Sequence, residues 1–351
     1  MKVSCSNWVQ LLFIVIQRFF DLGRCEKWEH WWGYDGISGP SRWGMNPEWT
    51  ICKNGKHQSP IDIKPETLLF DHHLKYVQID LTHVNGQLVN TGNDVTFWVS
   101  EENHHHINIS SGPLSYLYRL SQIKLHYSYD KDNGSEHTVA NKHFSGEIHF
   151  IAYNVELYKN YEEASIGPKG LAILSVFLLV NDEAEMNRAF STFENKLIEI
   201  KVGNWSTGAG GKRIMTAIHY FSIEDLLPKT DHYMTYSGSL TQPGCQETVT
   251  WIIFNKPIQI PSIQLKNLLE KSTPDWLQAN RRPIMPLNHR TVRTNINFKG
   301  KRKTSTLCWR HFSENEPYSL VYVTYRFRIM VHSQYSIIED LKQPSALLLD
   351  M

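Results

Sequence analysis

The sequence has a net charge of only +1 and lacks an internal repeat and a long hydrophobic run. Its 36 Lys and Arg residues nearly balance its 35 Asp and Glu residues, so no overall field attracts nucleic acid or a membrane surface. The apolar runs at residues 8–16 and 170–180 are too short to span a bilayer. Hydrophobic residues still make up 41% of the 351 residues, which is enough for the core of an ordinary globular protein.

Cysteine is scarce, with five residues in the whole chain. Cys5 lies inside the N-terminal apolar segment and Cys25 beside its end, which leaves Cys52, Cys245 and Cys308 for the body of the protein. An oxidising compartment would allow one disulfide among these three and would leave an odd thiol.

The N-terminus has the charge pattern of a secretory signal peptide. Lys2 precedes the apolar run, and Gln17 and Arg18 end it, so we place the signal at residues 1–24. The alternative is a buried strand or helix. Secretion is supported by three Asn-X-Ser sequences, which predict N-glycosylation at Asn108, Asn133 and Asn204.

Turn residues divide the middle of the chain into short strands. The turns contain VNGQ, NTGND, SSGP and KDNGS, and strands such as VTFWV and LAILSVFLLV lie between them. Helical signals are few, the better ones being residues 183–201 and the short IEDLL after Phe221. The pattern predicts a sheet-rich protein.

The composition changes after Phe298, where four basic residues follow within five positions. We therefore predict one domain at residues 28–298 and a basic C-terminal tail at residues 299–351. A solvated linker is a better interpretation of the basic cluster than a binding patch.

Two predicted strands each direct a histidine and a polar neighbour to one face. Lys124 and His126 alternate with apolar residues in SQIKLHYS, and Glu147 and His149 do so in GEIHFIAYN. Histidines grouped in this way are typical of a metal site, although a single histidine on a strand is more often a core or surface residue. A lysine stands where a third ligand would be expected.

Several segments resemble the α-class carbonic anhydrases: WGYDG, QSPIDI, GSEHTV, FSGEIHFIAYN, LLPKTDHYMTYSGSLTQPGC and ETVTWIIFNKPI, in order from about residue 31 to 298. NISSGPLSYLYRL, ELYKN and RTNINF are most similar to the secreted carbonic anhydrase-related proteins X and XI, which the family regards as catalytically silent. The resemblance implies a mainly β, α+β fold. The implied fold is a single domain around a large, mostly antiparallel twisted sheet, with a few short helices and a conical pocket that ends at zinc.

In that family three histidines hold the zinc, and the resemblance places the ligand positions on Lys124, His126 and His149. An ammonium has no lone pair, so Lys124 would first have to lose its proton, at a cost of roughly 4 to 5 kcal/mol at pH 7. A charged Lys124 would repel the dication. We therefore expect no zinc. Two alternatives stay open. In the first, zinc still binds, because burial forces Lys124 into its neutral form or because water takes its place as a ligand. In the second, the Lys124 ammonium substitutes for the metal.

The resemblance also implies a largely inherited polar cavity. Gln122 and Glu147 occupy positions that support histidine ligands, and Thr241 with Glu136 form the pair that orients a zinc-bound hydroxide. The wall that faces carbon dioxide in the family corresponds to Ile151, Ile173, Leu240 and Trp251.

Two further positions depart from active members of the family. Asn93 replaces the proton-shuttle histidine, and an amide cannot relay a proton near neutral pH. Gln242 replaces a threonine and is long enough to fill the pocket. Cys52 and Cys245 match the positions of the disulfide in extracellular members of the family. Such a bond could stabilise the folded state by roughly 4 to 5 kcal/mol.

The resemblance thus predicts a secreted, catalytically inactive protein that binds another protein and needs no cofactor. The implied partner is a neurexin-like receptor at the cell surface. The alternative function is zinc-dependent hydration of carbon dioxide with an altered ligand set.

Overall fold

The computed structural model describes residues 32–199, 214–272 and 279–298. Three sequence predictions lie outside these residues: the signal peptide, the tail at residues 299–351 and the sequon at Asn204, and so do Cys25 and Cys308.

Short strands make up most of the described fold, as the turn-rich sequence predicts. The strands are β1 (Asp62–Ile63), β2 (Leu69–Phe70), β3 (Val77–Ile79), β4 (Val84–Asn90), β5 (Val95–Val99), β6 (Asn108–Ser111), β7 (Tyr118–Tyr127), β8 (Thr138–Val139), β9 (Gly146–Asn154), β10 (Leu171–Val180), β11 (Ile214–Phe221), β12 (Tyr233–Gly238), β13 (Val249–Phe254), β14 (Ile258–Ile260) and β15 (Arg293–Thr294).

The helices are short. They are α1 (Pro40–Trp43), α2 (Ile51–Asn54), α3 (Tyr161–Ile166), α4 (Arg188–Leu197) and α5 (Ser262–Ser272), with 3₁₀ turns at Gly36–Ser38, Pro47–Trp49, Pro65–Thr67 and Glu224–Leu226. The helix predicted at residues 183–201 is wrong in its extent, because the Asn187 side chain accepts a hydrogen bond from the Phe190 amide and starts α4 there. Within the described ranges, no helix has both the length and the apolar character to cross a membrane.

One large sheet of thirteen strands organises the described part of the chain, in the order β11-β4-β5-β7-β9-β10-β13-β12-β15-β2, with β3, β6 and β14 attached beside it. Most neighbours are antiparallel, but β10 runs parallel to β13 and β14, and β15 runs parallel to β2. β1 and β8 form a separate parallel pair. The predicted fold class is confirmed.

The two faces of the large sheet bury different cores. Alternate residues of the central strands pack on one side against α4 and α5, where Ile123, Phe150 and Leu174 meet Phe190 and Leu265. The opposite face carries a second apolar core that includes Ile151, Ile173 and Trp251. Because β10 is covered on both faces, the continuous apolar run LAILSVFLLV is the strand that the sequence predicts.

The predicted disulfide between Cys52 and Cys245 is confirmed. Its Cα atoms lie 5.0 Å apart, within the usual range, and the two cysteines are 193 residues apart in the chain. The bridge ties α2 to the loop that carries Thr241 and Gln242.

Candidate functional site

The candidate site lies on the second face of the sheet, where β7 and β9 pair. Lys124 is directly opposite His149, and His126 is opposite Glu147. Cross-strand neighbours in an antiparallel sheet share a face, so the strands bring together the three positions predicted from the sequence. All four side chains are buried, and Lys124 is the most accessible at 7%.

The His126 ring has a defined tautomer. Its Nδ1 lies 2.7 Å from the carbonyl oxygen of Asn280, which can only accept a hydrogen bond, so Nδ1 carries the hydrogen and Nε2 keeps a lone pair. Nε2 is buried and has no hydrogen-bond partner in the described part of the chain. Burial, with a smaller effect of His149, lowers the pKa of His126 to about 3. His126 is therefore a neutral imidazole with an available nitrogen.

His149 is held in the complementary tautomer. Its Nε2 donates to Glu147 Oε1 at 2.7 Å, which leaves a lone pair on Nδ1, 3.9 Å from Glu136 Oε2. Burial lowers the pKa of His149, although Glu147 acts in the opposite direction. Ligand atoms of His126, His149 and the Glu136 carboxyl group lie within 4.8 Å of one another.

Glu147 is fixed by a network that sequence reasoning identified only in part. Besides His149, it accepts hydrogen bonds from His137 Nδ1 at 2.7 Å, the His137 amide at 2.7 Å and the Ser175 hydroxyl at 2.7 Å. Burial acts to raise the pKa of Glu147, but His137 and His149 hold it well below its ordinary value. His137, Glu147 and His149 also form a possible ligand group, but these hydrogen bonds already occupy the carboxylate.

Lys124 is part of a closed polar triangle. Its Nζ lies 3.3 Å from Asp94 Oδ2 and donates to Gln242 Oε1 at 2.8 Å. The Gln242 amide Nε2 in turn donates to the same Asp94 oxygen at 2.7 Å. We call these three side chains the Asp94–Lys124–Gln242 clamp. In it the ammonium has two acceptors, and Gln242 joins Lys124 to Asp94.

Asp94 is a residue of this site that sequence reasoning missed. It immediately precedes β5, and its other oxygen, Oδ1, accepts hydrogen bonds from Thr91 and Thr96 at 2.9 and 2.8 Å. Burial acts to raise the pKa of Asp94, but Lys124 and the two threonines more than offset it, and the pKa is lowered. The signal that could have identified Asp94 is its position one residue before Val95. Val95 pairs with Leu125, the residue that follows Lys124.

Glu136 differs from Glu147 in its ionisation. Its Oε1 accepts the Arg282 amide at 2.9 Å. Burial nevertheless raises the pKa of Glu136 to about 8, against the opposing effect of the hydrogen bond with Thr241. Glu136 and Thr241 thus meet as the sequence predicts, but the carboxyl group is mostly protonated at neutral pH.

The remaining predicted residues fall around this centre. Gln122 hydrogen-bonds with Tyr161, whose pKa burial raises to about 12. Asn93 donates to the Trp32 carbonyl at 2.8 Å. The wall residues Ile151, Ile173 and Trp251 are cross-strand neighbours, and Leu240 packs against the same core.

Two predicted glycosylation sites lie in the described chain. The Asn108 side-chain amide donates to Asp80 Oδ2 at 2.9 Å, within β6. Asn133 uses its side-chain oxygen to accept from Arg281 Nη2 at 2.7 Å. Glycosylation at both stays a prediction.

A family comparison decides the identity of the fold. The model of the eukaryotic-type carbonic anhydrases matches residues 38–296. The chain belongs to the carbonic anhydrase family. It is also 38% identical over 283 residues to "Putative carbonic anhydrase-like protein 2" of Caenorhabditis elegans, covering 77% of this chain and 81% of the relative.

Carbonic anhydrases normally depend on zinc, so the donor set of this member can be tested for fit. His126 Nε2 and His149 Nδ1 present two lone pairs, fixed by Asn280 and Glu147. At the third position the Lys124 ammonium is directed into the Asp94–Lys124–Gln242 clamp, and an ammonium cannot ligate a cation. These residues do not fit the three-histidine zinc site of the family.

Replacing Glu136 with Gln is expected to change how stability depends on pH. A carboxyl whose folded pKa is raised from 4.5 to about 8 favours folding below pH 4.5, and that contribution is lost as the pH rises towards 8. The wild type should lose on the order of 2 kcal/mol of unfolding free energy from this group between pH 5 and 7, and Glu136→Gln should not. Urea denaturation at both pH values, with exposed Glu162→Gln as control, measures the difference. A wild-type-minus-variant difference independent of pH would contradict the assignment.

Proposed function

We propose that this carbonic anhydrase-like protein is catalytically silent and acts outside the cell by binding another protein, as the related proteins X and XI of the family are regarded as doing. Its relative in Caenorhabditis elegans carries a "carbonic anhydrase-like" name, which supports the catalytically silent part of the proposal. A neurexin-like surface receptor is the proposed partner, on the family resemblance alone.

The Asp94–Lys124–Gln242 clamp is the observation that carries the proposal. The family's reaction needs a dication with an open position, at which a bound water ionises near neutral pH. Here a buried ammonium satisfied by a carboxylate and an amide occupies the third ligand position. The site's own positive charge therefore opposes the metal that the reaction requires.

Zinc-dependent hydration of carbon dioxide is the second candidate. It is favoured by the two oriented imidazole lone pairs and by the intact hydrogen-bonded support of His149. It would require Lys124 to leave Asp94 and Gln242 and to lose its proton. That change would also leave Asp94 without its buried counter-ion.

Metal analysis of the purified wild-type protein tests the proposal. We expect far less than one zinc per chain after exposure to excess zinc and gel filtration, and carbon dioxide hydration no faster than a buffer control. An active carbonic anhydrase treated in parallel is the positive control. Close to one zinc per chain together with hydration well above buffer would refute the silent assignment.

Secretion is tested separately by expressing the full chain in cultured animal cells. The protein should reach the medium and shift in mobility when N-glycans are removed enzymatically. Retention of all of the protein inside the cells would contradict the proposed location.

A further inference from the structure

A second cavity lies on the same face of the sheet as the candidate site, further along β9. Arg119 pairs with Tyr153 across β7 and β9, and the segment after β9 closes over them. The cavity has a volume of about 310 Å³, at the lower end of the range for small-ligand sites. We call it the Arg119 groove and define it by Arg119, Tyr153, Leu157, Tyr158 and Lys159, none of which belongs to the clamp or the histidine cluster.

Two basic side chains and one acidic side chain line the groove, so its net charge is positive. Arg119 Nε is buried and has no hydrogen-bond partner in the described residues. Neither Arg119 nor Lys159 forms a salt bridge with a carboxylate in the described ranges. Glu156 lies at the rim, but its Oε1 accepts the Leu117 amide at 2.8 Å. A guanidinium with an unpaired Nε and no salt bridge is suited to binding a carboxylate through two parallel hydrogen bonds.

An apolar shelf lies beside the guanidinium. Tyr153 is only 6% exposed, and the Tyr158 hydroxyl donates to the Pro168 carbonyl at 2.8 Å, which fixes its position. Leu157 is 48% exposed on the rim. A small inorganic anion would use only the charge, whereas a peptide could place a carboxylate on Arg119 and an apolar neighbour on Leu157.

We propose that the Arg119 groove binds an acidic side chain of a partner protein, with an aromatic or aliphatic residue next to it in the partner's sequence. The carboxylate pairs with Arg119, Lys159 adds positive charge at the rim, and the apolar neighbour covers Leu157 and Tyr153. This inference rests on the proposed binding function and gives it a location and a partner chemistry.

The test is an NMR titration of the full chain with the blocked peptide acetyl-Glu-Phe-amide, its Gln analogue, and inorganic sulfate. The glycosylated chain and the enzymatically deglycosylated chain are titrated in parallel, because Asn108 lies opposite Arg119 across β6 and β7, and we expect both forms to bind the acidic peptide. We expect the Gln analogue to bind at least about tenfold more weakly, since it loses the charge-assisted hydrogen bonds of the carboxylate.

Two variants and a matched control complete the design. Arg119→Gln should weaken binding of the acidic peptide about tenfold or more, and Leu157→Asp should weaken it by adding a negative charge outside the sheet. Arg188→Gln, which removes an exposed arginine paired with Asp225, should bind like the wild type. Urea denaturation checks the folding of each variant, and Leu157→Asp carries the test if Arg119→Gln is unfolded.

The outcomes separate this inference from the proposed function. Equal binding of the Glu and Gln peptides, or unchanged binding by the folded variants, would overturn the groove. Arg119-dependent binding of sulfate without the peptide would make it a small-anion site and overturn the partner assignment. A zinc-loaded, active wild type that still binds the acidic peptide would refute only the silent function.

Discussion

Replacing Lys124 with Met should destabilise the protein by about 3 kcal/mol, because it removes the counter-ion of a carboxylate that is only 2% exposed. Breaking a buried ion pair from one side typically costs about 3–5 kcal/mol. We expect the lower end of that range, because Asp94 keeps its hydrogen bonds from Thr91, Thr96 and Gln242. Urea denaturation at pH 7 measures the loss.

A second substitution identifies the cause of that loss. If an uncompensated charge on Asp94 is responsible, Lys124→Met with Asp94→Asn should recover at least about half of the lost free energy, since an amide needs no counter-ion. The exposed Lys142→Met is the matched control and should change stability by less than about 0.5 kcal/mol. A Lys124→Met protein as stable as the wild type would show that the clamp is not a structural contact.

Replacing Lys124 with His should raise zinc affinity by roughly 100-fold or more. Losing one outer partner of a metal ligand already costs about 10–100-fold, and this change restores a whole ligand while removing a repelling charge. The other two nitrogens need no rearrangement of tautomer, since Asn280 and Glu147 fix them. Competition with a fluorescent zinc chelator measures the affinity.

Zinc should also stabilise the Lys124→His protein against heat. At a free zinc concentration 100 times the dissociation constant, the free energy of unfolding should rise by about 2.7 kcal/mol, whereas that of the wild type should not change. Lys142→His, an exposed lysine, controls for a histidine added elsewhere. We expect little hydration of carbon dioxide even when zinc is bound, because Asn93 and Gln242 remain. Equal zinc affinity in wild type and variant would mean that the native site already binds the metal.

Local sequence patterns predicted the central strands well. VTFWV and LAILSVFLLV are β5 and β10 because their periodicity and apolar character are local properties of the chain. The extent of α4 could not be predicted as well, since the Asn187 cap competes with a longer run of helix-compatible residues. The parallel pairing of β10 with β13 joins segments far apart in sequence, and no local pattern encodes it.

The residues of the candidate site also fall into two groups: those that local sequence patterns predict and those that they do not. Lys124, His126 and His149 could be predicted because alternation within a strand fixes the face of each side chain. Asp94 and His137 could not, because their contacts depend on how separate segments pair in three dimensions. Asp94, the partner that the sequence did not reveal, shows how the charge of Lys124 is accommodated: it is paired inside the core with a buried carboxylate.

The Asp94–Lys124–Gln242 clamp consists entirely of side chains of the protein itself. If the protein is metal-free, as we propose, its fold needs no ion during maturation, and its yield should be the same in cells starved of or replete with zinc. Metal supply, which limits the production of many metalloenzymes, would place no such limit on this chain.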